Sequence, residues 1–126
     1  MPPPRLILTC GEPAGIGPDL CIDIAGREWP CELVVAGDTQ VLQTRAQQLQ
    51  RRLTLLPYSA GAAPAEHRSG TLRVLHVPVA SPVRPGQLDR TNARHVLQLL
   101  DRAIDGCVAG EFAAMVTAPV QKSVIN

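Results

Sequence analysis

Aromatic side chains are nearly missing from this sequence: its 126 residues hold one Trp, one Tyr and one Phe. Stacking platforms for single-stranded nucleic acid need several exposed rings, so that class of function is disfavoured. Net charge is equally scant, +1 at neutral pH. No surplus of one sign draws the chain to nucleic acid or to an acidic membrane. No apolar run reaches the roughly 18 residues of a membrane span, and Met1-Pro2-Pro3-Pro4-Arg5 lacks the basic-then-apolar pattern of a signal peptide. Cys10, Cys21, Cys31 and Cys107 form no C-x-x-C pair, and three of them fall on apolar runs. They read as small buried thiols in a reducing, cytoplasmic setting. His67, His76 and His95 show no metal-ligand spacing and read as packing or surface residues.

What is there is a globular pattern, with 45% apolar and 18% charged residues. The length suits one small domain with a real core and no internal boundary across 1–126. Residues 5–10 (RLILTC), 31–36 (CELVVA), 53–56, 72–77 (LRVLHV) and 112–117 (FAAMVT) read as strands. Pro18 suits a first helical position, and Leu20, Cys21, Ile24 and Ala25 repeat at helical spacing behind it. Asp38 is placed to cap a second helix over 39–51, with Val41, Leu42, Ala46 and Leu49 on one face. A long helix is expected over 89–108, its stripe being Ala93, Val96, Leu97, Leu100, Ala103, Ile104, Cys107 and Val108. Arg90, Arg94, Arg102, Asp89, Asp101 and Asp105 would form its solvated face. Residues 59–70 read as an exposed loop.

Strands alternating with amphipathic helices predict an α/β fold, a three-layer α/β/α arrangement on a mostly parallel sheet. The continuous apolar strands suit burial on both faces. Ligands of such sheets gather at the carboxyl ends of the strands, where two unusual turns would lie.

The first turn is Gly11-Glu12-Pro13-Ala14-Gly15-Ile16-Gly17-Pro18-Asp19. It lacks the Gly-Lys-Ser/Thr of a phosphate loop, and its glycine spacing is not G-x-G-x-x-G. Glu12 and Asp19 set two carboxylates at a helix start that would otherwise attract an anion. Sugar hydroxyls, an amine, a metal or a neutral ring are tolerated better there than a pyrophosphate. The plainer reading is a tight turn with positive φ at its glycines. The second turn is Thr117-Ala118-Pro119-Val120-Gln121-Lys122. Lys122 falls in the first turn of an expected helix, where its charge opposes the dipole, which points to contact with a phosphate or carboxylate. The competing readings are a solvated Lys122 and a Thr117 that only caps the helix.

Residues 11–19 resemble the opening signature of the 4-hydroxythreonine-4-phosphate dehydrogenase family of pyridoxal-phosphate biosynthesis. Pro85-Gly86-Gln87-Leu88-Asp89, Asp105-Gly106-Cys107, Gly110-Glu111-Phe112 and the run from Thr117 to Asn126 are similar to its central signature. Gly15-Ile16-Gly17-Pro18-Asp19 is also similar to the first loop of isocitrate and isopropylmalate dehydrogenases, whose fold the family shares. The resemblance implies an NAD- or NADP-dependent, divalent-metal-dependent enzyme, using zinc, magnesium or cobalt, that oxidises and decarboxylates 4-phosphohydroxy-L-threonine to 3-amino-1-hydroxyacetone phosphate. It implies a cytoplasmic homodimer with its site in a cleft between domains, acting on a phosphorylated amino acid.

On this reading Glu12, Gly15 and Gly17 are candidate cofactor-binding residues, and Thr117 and Lys122 candidate substrate-binding residues. The family's chain is much longer. Its substrate-binding His-Thr pair, metal-binding histidines and phosphate-binding residues match no position here. The catalytic residues are therefore expected beyond Asn126, the sheet is expected to be incomplete, and the 126-residue piece is expected to be inactive alone. Two alternatives stay open: a sibling dehydrogenase acting on another hydroxy acid or a dihydrodiol, and a non-catalytic α/β module.

Overall fold

The structure, a computed structural model, describes residues 2–84, 86–87 and 90–119. Strand β1 (Arg5–Thr9) leads to helix α1 (Gly17–Ala25), β2 (Glu32–Gly37) to α2 (Thr39–Gln48), and β3 (Thr54–Pro57) directly to β4 (Thr71–His76). A 3-10 turn (Arg90–Asn92), α3 (Ala93–Val108) and β5 (Ala114–Thr117) follow. The strands form one five-stranded sheet in the order β3-β4-β2-β1-β5, and every pairing is parallel. The chain winds one way from β1 to β2 and the opposite way from β4 to β5. With right-handed crossovers, α3 lies on the face opposite α1 and α2. The α/β expectation and its parallel sheet are thus met. No described helix is long and apolar enough to cross a membrane.

The core runs through the two central strands. All six residues of β2 are buried, and Ile7, Val34, Val35, Leu42, Leu72, Val96 and Leu99 are almost wholly enclosed. Full burial of each such side chain stabilises by about 1.5–3 kcal/mol. β5 departs from the expected two-sided burial: Ala114, Val116 and Thr117 are exposed, because among the described residues β1 is its only strand neighbour in the sheet.

Helix boundaries and faces also differ in places. Asp38 caps α2 as expected, its Oδ1 accepting from the amides of Gln40 (2.8 Å) and Val41 (3.1 Å). The helix stops at Gln48 rather than residue 51, and Gln50 takes φ +56°. α3 starts at Ala93, later than expected, because Asn92 is in the preceding 3-10 turn. Its buried face is His95, Val96, Leu99, Ala103 and Gly106. Leu97, Ile104 and Val108 of the expected stripe are exposed. Gly106 explains the rotation: a Cβ there would lie 2.4 Å from the Phe112 ring, so glycine lets the helix lie directly against that ring.

Arg102 is not a solvated residue. Both its terminal nitrogens donate to Glu111, at 2.7 and 2.8 Å. Tyr58 Oη donates to the same carboxylate at 2.6 Å, and Arg5 donates to Tyr58 Oη (3.4 Å), the Ala62 carbonyl (2.6 Å) and Glu32 (2.7 Å). Glu32 also accepts from the Ala65 amide at 2.6 Å. This network closes the amino edge of the sheet and ties the 58–65 segment to it.

Candidate functional site at the carboxyl edge

Because all five strands run the same way, the segments after β1, β2, β4 and β5 emerge at one edge. The two turns singled out in the sequence meet there. Thr9 and Thr117 are register partners on adjacent strands, and the Ala118 amide donates to the Thr9 carbonyl at 3.0 Å. Gly11 has φ +74°, and a Cβ on it would stand 2.6 Å from the Pro119 carbonyl oxygen. A Cβ on Gly17 would stand 1.7 Å from the Cys10 carbonyl oxygen and 3.2 Å from Ala118 Cβ. Glycine at 11 and 17 therefore permits backbone contact between the turns. Positive φ, expected for the turn's glycines in general, occurs in that turn only at Gly11.

The acidic residues of the first turn are not bare charges. Glu12 is 3% exposed, and its Oε1 accepts from the Ala14 amide at 3.4 Å. Gly15 completes the tight turn through its amide to the Glu12 carbonyl, 3.0 Å. Asp19 takes two bonds from Arg45, at 2.6 and 2.9 Å. That guanidinium holds the Asp19 carboxyl below its usual range. The repulsion expected of Asp19 toward an anion is therefore largely compensated, since Arg45 brings an equal and opposite charge.

Beside this turn lies a cleft of about 530 Å³, within the size range of small-molecule sites. Pro13, Ala14, Gly15 and Ile16 form one side, Val41, Thr44 and Arg45 of α2 the floor, and Val79, Pro82 and Val83 the far wall. Ile16 is 59% exposed, a large apolar side chain at its mouth. Of the sequence candidates Gly15 lines the cleft, while Glu12 and Gly17 do not appear among its lining residues. Thr117 is exposed at the end of β5. Its neighbour Thr9 is fully buried, and Thr9 Oγ1 has no hydrogen-bond partner among the described residues. Lys122 lies outside the described residues.

The far wall is held by three side chains, of which the sequence marks Asp38 only as a helix cap and His95 only as a packing or surface residue. Asp38 Oδ2 accepts from the Val79 amide at 2.8 Å. Asn92 Oδ1 accepts from the amides of Ala80 and Ser81, both at 3.1 Å. His95 Nδ1 lies 3.1 Å from the Pro78 carbonyl. These partners are 11 to 41 residues apart, so no local pattern marks them. Across the sheet edge the Gly86 amide donates to the Ala14 carbonyl at 2.8 Å, joining far wall to near wall.

Among the described residues the edge offers shape and backbone rather than acid–base chemistry. A hydrogen bond with Cys21 and burial push the Cys10 thiol well up, which keeps it a poor nucleophile. Burial lowers His95, which favours its neutral form. Each histidine is bound to backbone: His67 to the Ala25 carbonyl, His76 to the Thr39 amide and His95 to Pro78. Among the described residues no three His, Cys, Asp or Glu side chains are grouped to hold a metal.

Comparison with known proteins accords with this geometry. The sequence model of the family described as "Pyridoxal phosphate biosynthetic protein PdxA" matches residues 28–126. The chain is 50% identical over 126 residues to 4-hydroxythreonine-4-phosphate dehydrogenase of Enterobacter sp. (strain 638), covering all of this chain and 38% of that protein. It is 52% identical over 122 residues to the enzyme of the same name from Azoarcus sp. (strain BH72), covering 97% of this chain and 36% of that one. The crystal structure of the Klebsiella pneumoniae enzyme of that name superimposes with a TM-score of 0.83 at 28% identity, over 97% of this chain and 39% of its own. The chain thus spans somewhat over a third of the relatives it matches. A family match that takes in the wall of the cleft and the strand carrying Thr117, on a shared fold, places this chain in the PdxA family.

Proposed function

We propose that this chain forms the first lobe of an NAD(P)-dependent dehydrogenase that oxidises, and thereby sets up for decarboxylation, 4-phosphohydroxy-L-threonine, giving 3-amino-1-hydroxyacetone phosphate. The observation that supports it most is the convergence of residues 11–17 and 117–119 at one sheet edge beside a cleft of about 530 Å³. In this reading the cleft seats part of the nicotinamide dinucleotide. Gly15 faces it, and Glu12 and Gly17 set the turn that presents Gly15. Thr117, with Thr9 Oγ1 buried one strand away, is a candidate contact to the phosphorylated amino acid, and Lys122 is a candidate for its phosphate by its charge alone. The relatives at about half identity carry the name of this activity.

Chemically, the lobe would orient and desolvate. Apolar walls exclude water from a bound ring, and the paired Asp19–Arg45 leaves no net charge from those two groups. A divalent metal polarises the hydroxyl undergoing oxidation when such an enzyme binds one. The described residues do not fit that group, so its ligands belong to other residues of a complete enzyme, as does the homodimer contact in this reading.

The test is a chimera in which this chain replaces the matching part of the Enterobacter enzyme. NAD-dependent oxidation of 4-phosphohydroxy-L-threonine is expected. A folded, metal-loaded chimera without turnover would refute the reading. In the active chimera Lys122→Ala should raise KM for the phosphorylated substrate about tenfold or more, the loss of roughly 1.4 kcal/mol of binding. Unchanged kinetics would return Lys122 to the solvated surface.

A further inference from the structure

We propose that Asn92, together with Asp38 and His95, is a positioning residue that fixes the 78–81 segment as the rigid far wall of the carboxyl-edge cleft. The proposal rests on the reading of that cleft as the dinucleotide's seat.

Residues 78–81 leave β4 without entering another strand or helix, so they lack the ladder bonds that hold ordinary backbone. Three side chains supply substitutes. Asp38 and Asn92 accept from the consecutive amides of Val79, Ala80 and Ser81, and His95 faces the Pro78 carbonyl. All three are buried, at 8%, 1% and 2% exposure. They come from three different places: the end of β2, the 3-10 turn and α3. Asp38 is also committed to α2 through Oδ1, so one carboxylate fixes both the helix that floors the cleft and the wall opposite it.

A loop that served only as a connection needs no such investment of buried polar groups, each of which is costly to bury unless satisfied. What the clamp achieves is a fixed place for Val79, Pro82 and Val83, the apolar side chains that face Gly15 and Ile16 across the cleft. A ligand then meets a preformed surface and does not have to order it on binding.

The test uses the chimera described above, its unsubstituted form serving as wild type, with NAD as the probe, alongside amide hydrogen exchange. The amides of residues 79–81 should be protected in the wild type. Asn92→Ala should release those of Ala80 and Ser81 and weaken NAD binding at least tenfold. Asn92→Asp, which keeps the accepting oxygen, should restore both. Rescue by Asp at matched thermal stability separates positioning from mere support of the fold. Should Asn92→Ala fail to fold, Asn92→Ser shortens the side chain and carries the same comparison. NAD binding by Asn92→Ala as tight as wild type would overturn the clamp and leave the dinucleotide reading standing. Protected amides with no NAD binding by the wild type would refute the dinucleotide reading, and this role of the clamp with it.

Discussion

Tyr58 gives the sharpest test of the amino-edge network, because it is the chain's single tyrosine and its phenolate absorbance therefore reports one residue. Its hydroxyl donates to Glu111 at 2.6 Å and accepts from Arg5 at 3.4 Å. Burial first, and the bond to Glu111 second, raise its titration from 10.0 to about 12. At about 1.36 kcal/mol per tenfold, that shift would correspond to roughly 2.7 kcal/mol. Tyr58 is partly open to solvent, so screening brings the figure down to about 1–2 kcal/mol. The sign follows from linkage: a raised folded value means this stability is whole below pH 10 and lost as pH climbs toward about 12. The burial part of that shift acts only on the phenolate, so at neutral pH Tyr58→Phe should lose the bond to Glu111 alone, about 1–2 kcal/mol, a fall of several degrees in Tm for a domain of this size. Glu111 would stay bound to Arg102 in that variant, which limits the loss. Ultraviolet titration of the folded chain should find the midpoint near 12, and Glu111→Gln should move it partway back, since burial persists. A folded-state midpoint at 10 would refute the reasoning.

Gly17→Ala should destabilise by about 2 kcal/mol or more, because its new Cβ would collide with the Cys10 carbonyl, a backbone atom. Gly15→Ala meets nothing nearer than 3.4 Å and should stay within about 0.5 kcal/mol in urea unfolding; equal losses at both sites would contradict the contact between the turns. Burial depresses His95, so its contribution to stability is present above its ordinary value of 6.5 and fades as pH falls below it. Thermal melts of His95→Gln should lack that part of the acid loss, and a pH dependence identical to wild type would show His95 protonates freely in the fold. Val116, 52% exposed on edge strand β5, should promote self-association, which Val116→Lys should reduce in sedimentation experiments. A wild-type chain that stays monomeric at high concentration would count against an adhesive edge.

Local rules read the architecture well where the physics is local. Asp38 before an amphipathic run made a helix cap, Pro18 made a helix start, and the apolar runs of β1 and β2 made buried strands. The failures arose where tertiary contacts outweigh the local pattern. The stripe on α3 was readable as amphipathic, yet Gly106 and Phe112 decided which side of it turns inward, and they meet only in three dimensions. Arg102 had the spacing of a surface residue until Glu111, after the helix, claimed it. At the site, the turn at 11–19 was visible as a motif, but its compensation by Arg45 spans 26 residues and no pattern in the sequence marks it.

That compensation changes what the first turn can be asked to do. Read alone, its two acids argue against a pyrophosphate at the helix start. In the folded chain Glu12 is buried under its own turn and Asp19 is matched by a guanidinium, so the turn presents backbone and apolar side chains, the large Ile16 among them. The glycines divide by role. Gly11 and Gly17 allow the turn to lie against 118–119, and Gly15 closes its tip next to the cleft. One side of the turn thus contacts the segment following β5, and the other side faces the wall held by Asn92. A ligand filling the cleft would press on a turn whose opposite side carries Ala118 and Pro119, which gives the two halves of the site a direct mechanical connection through a few backbone atoms.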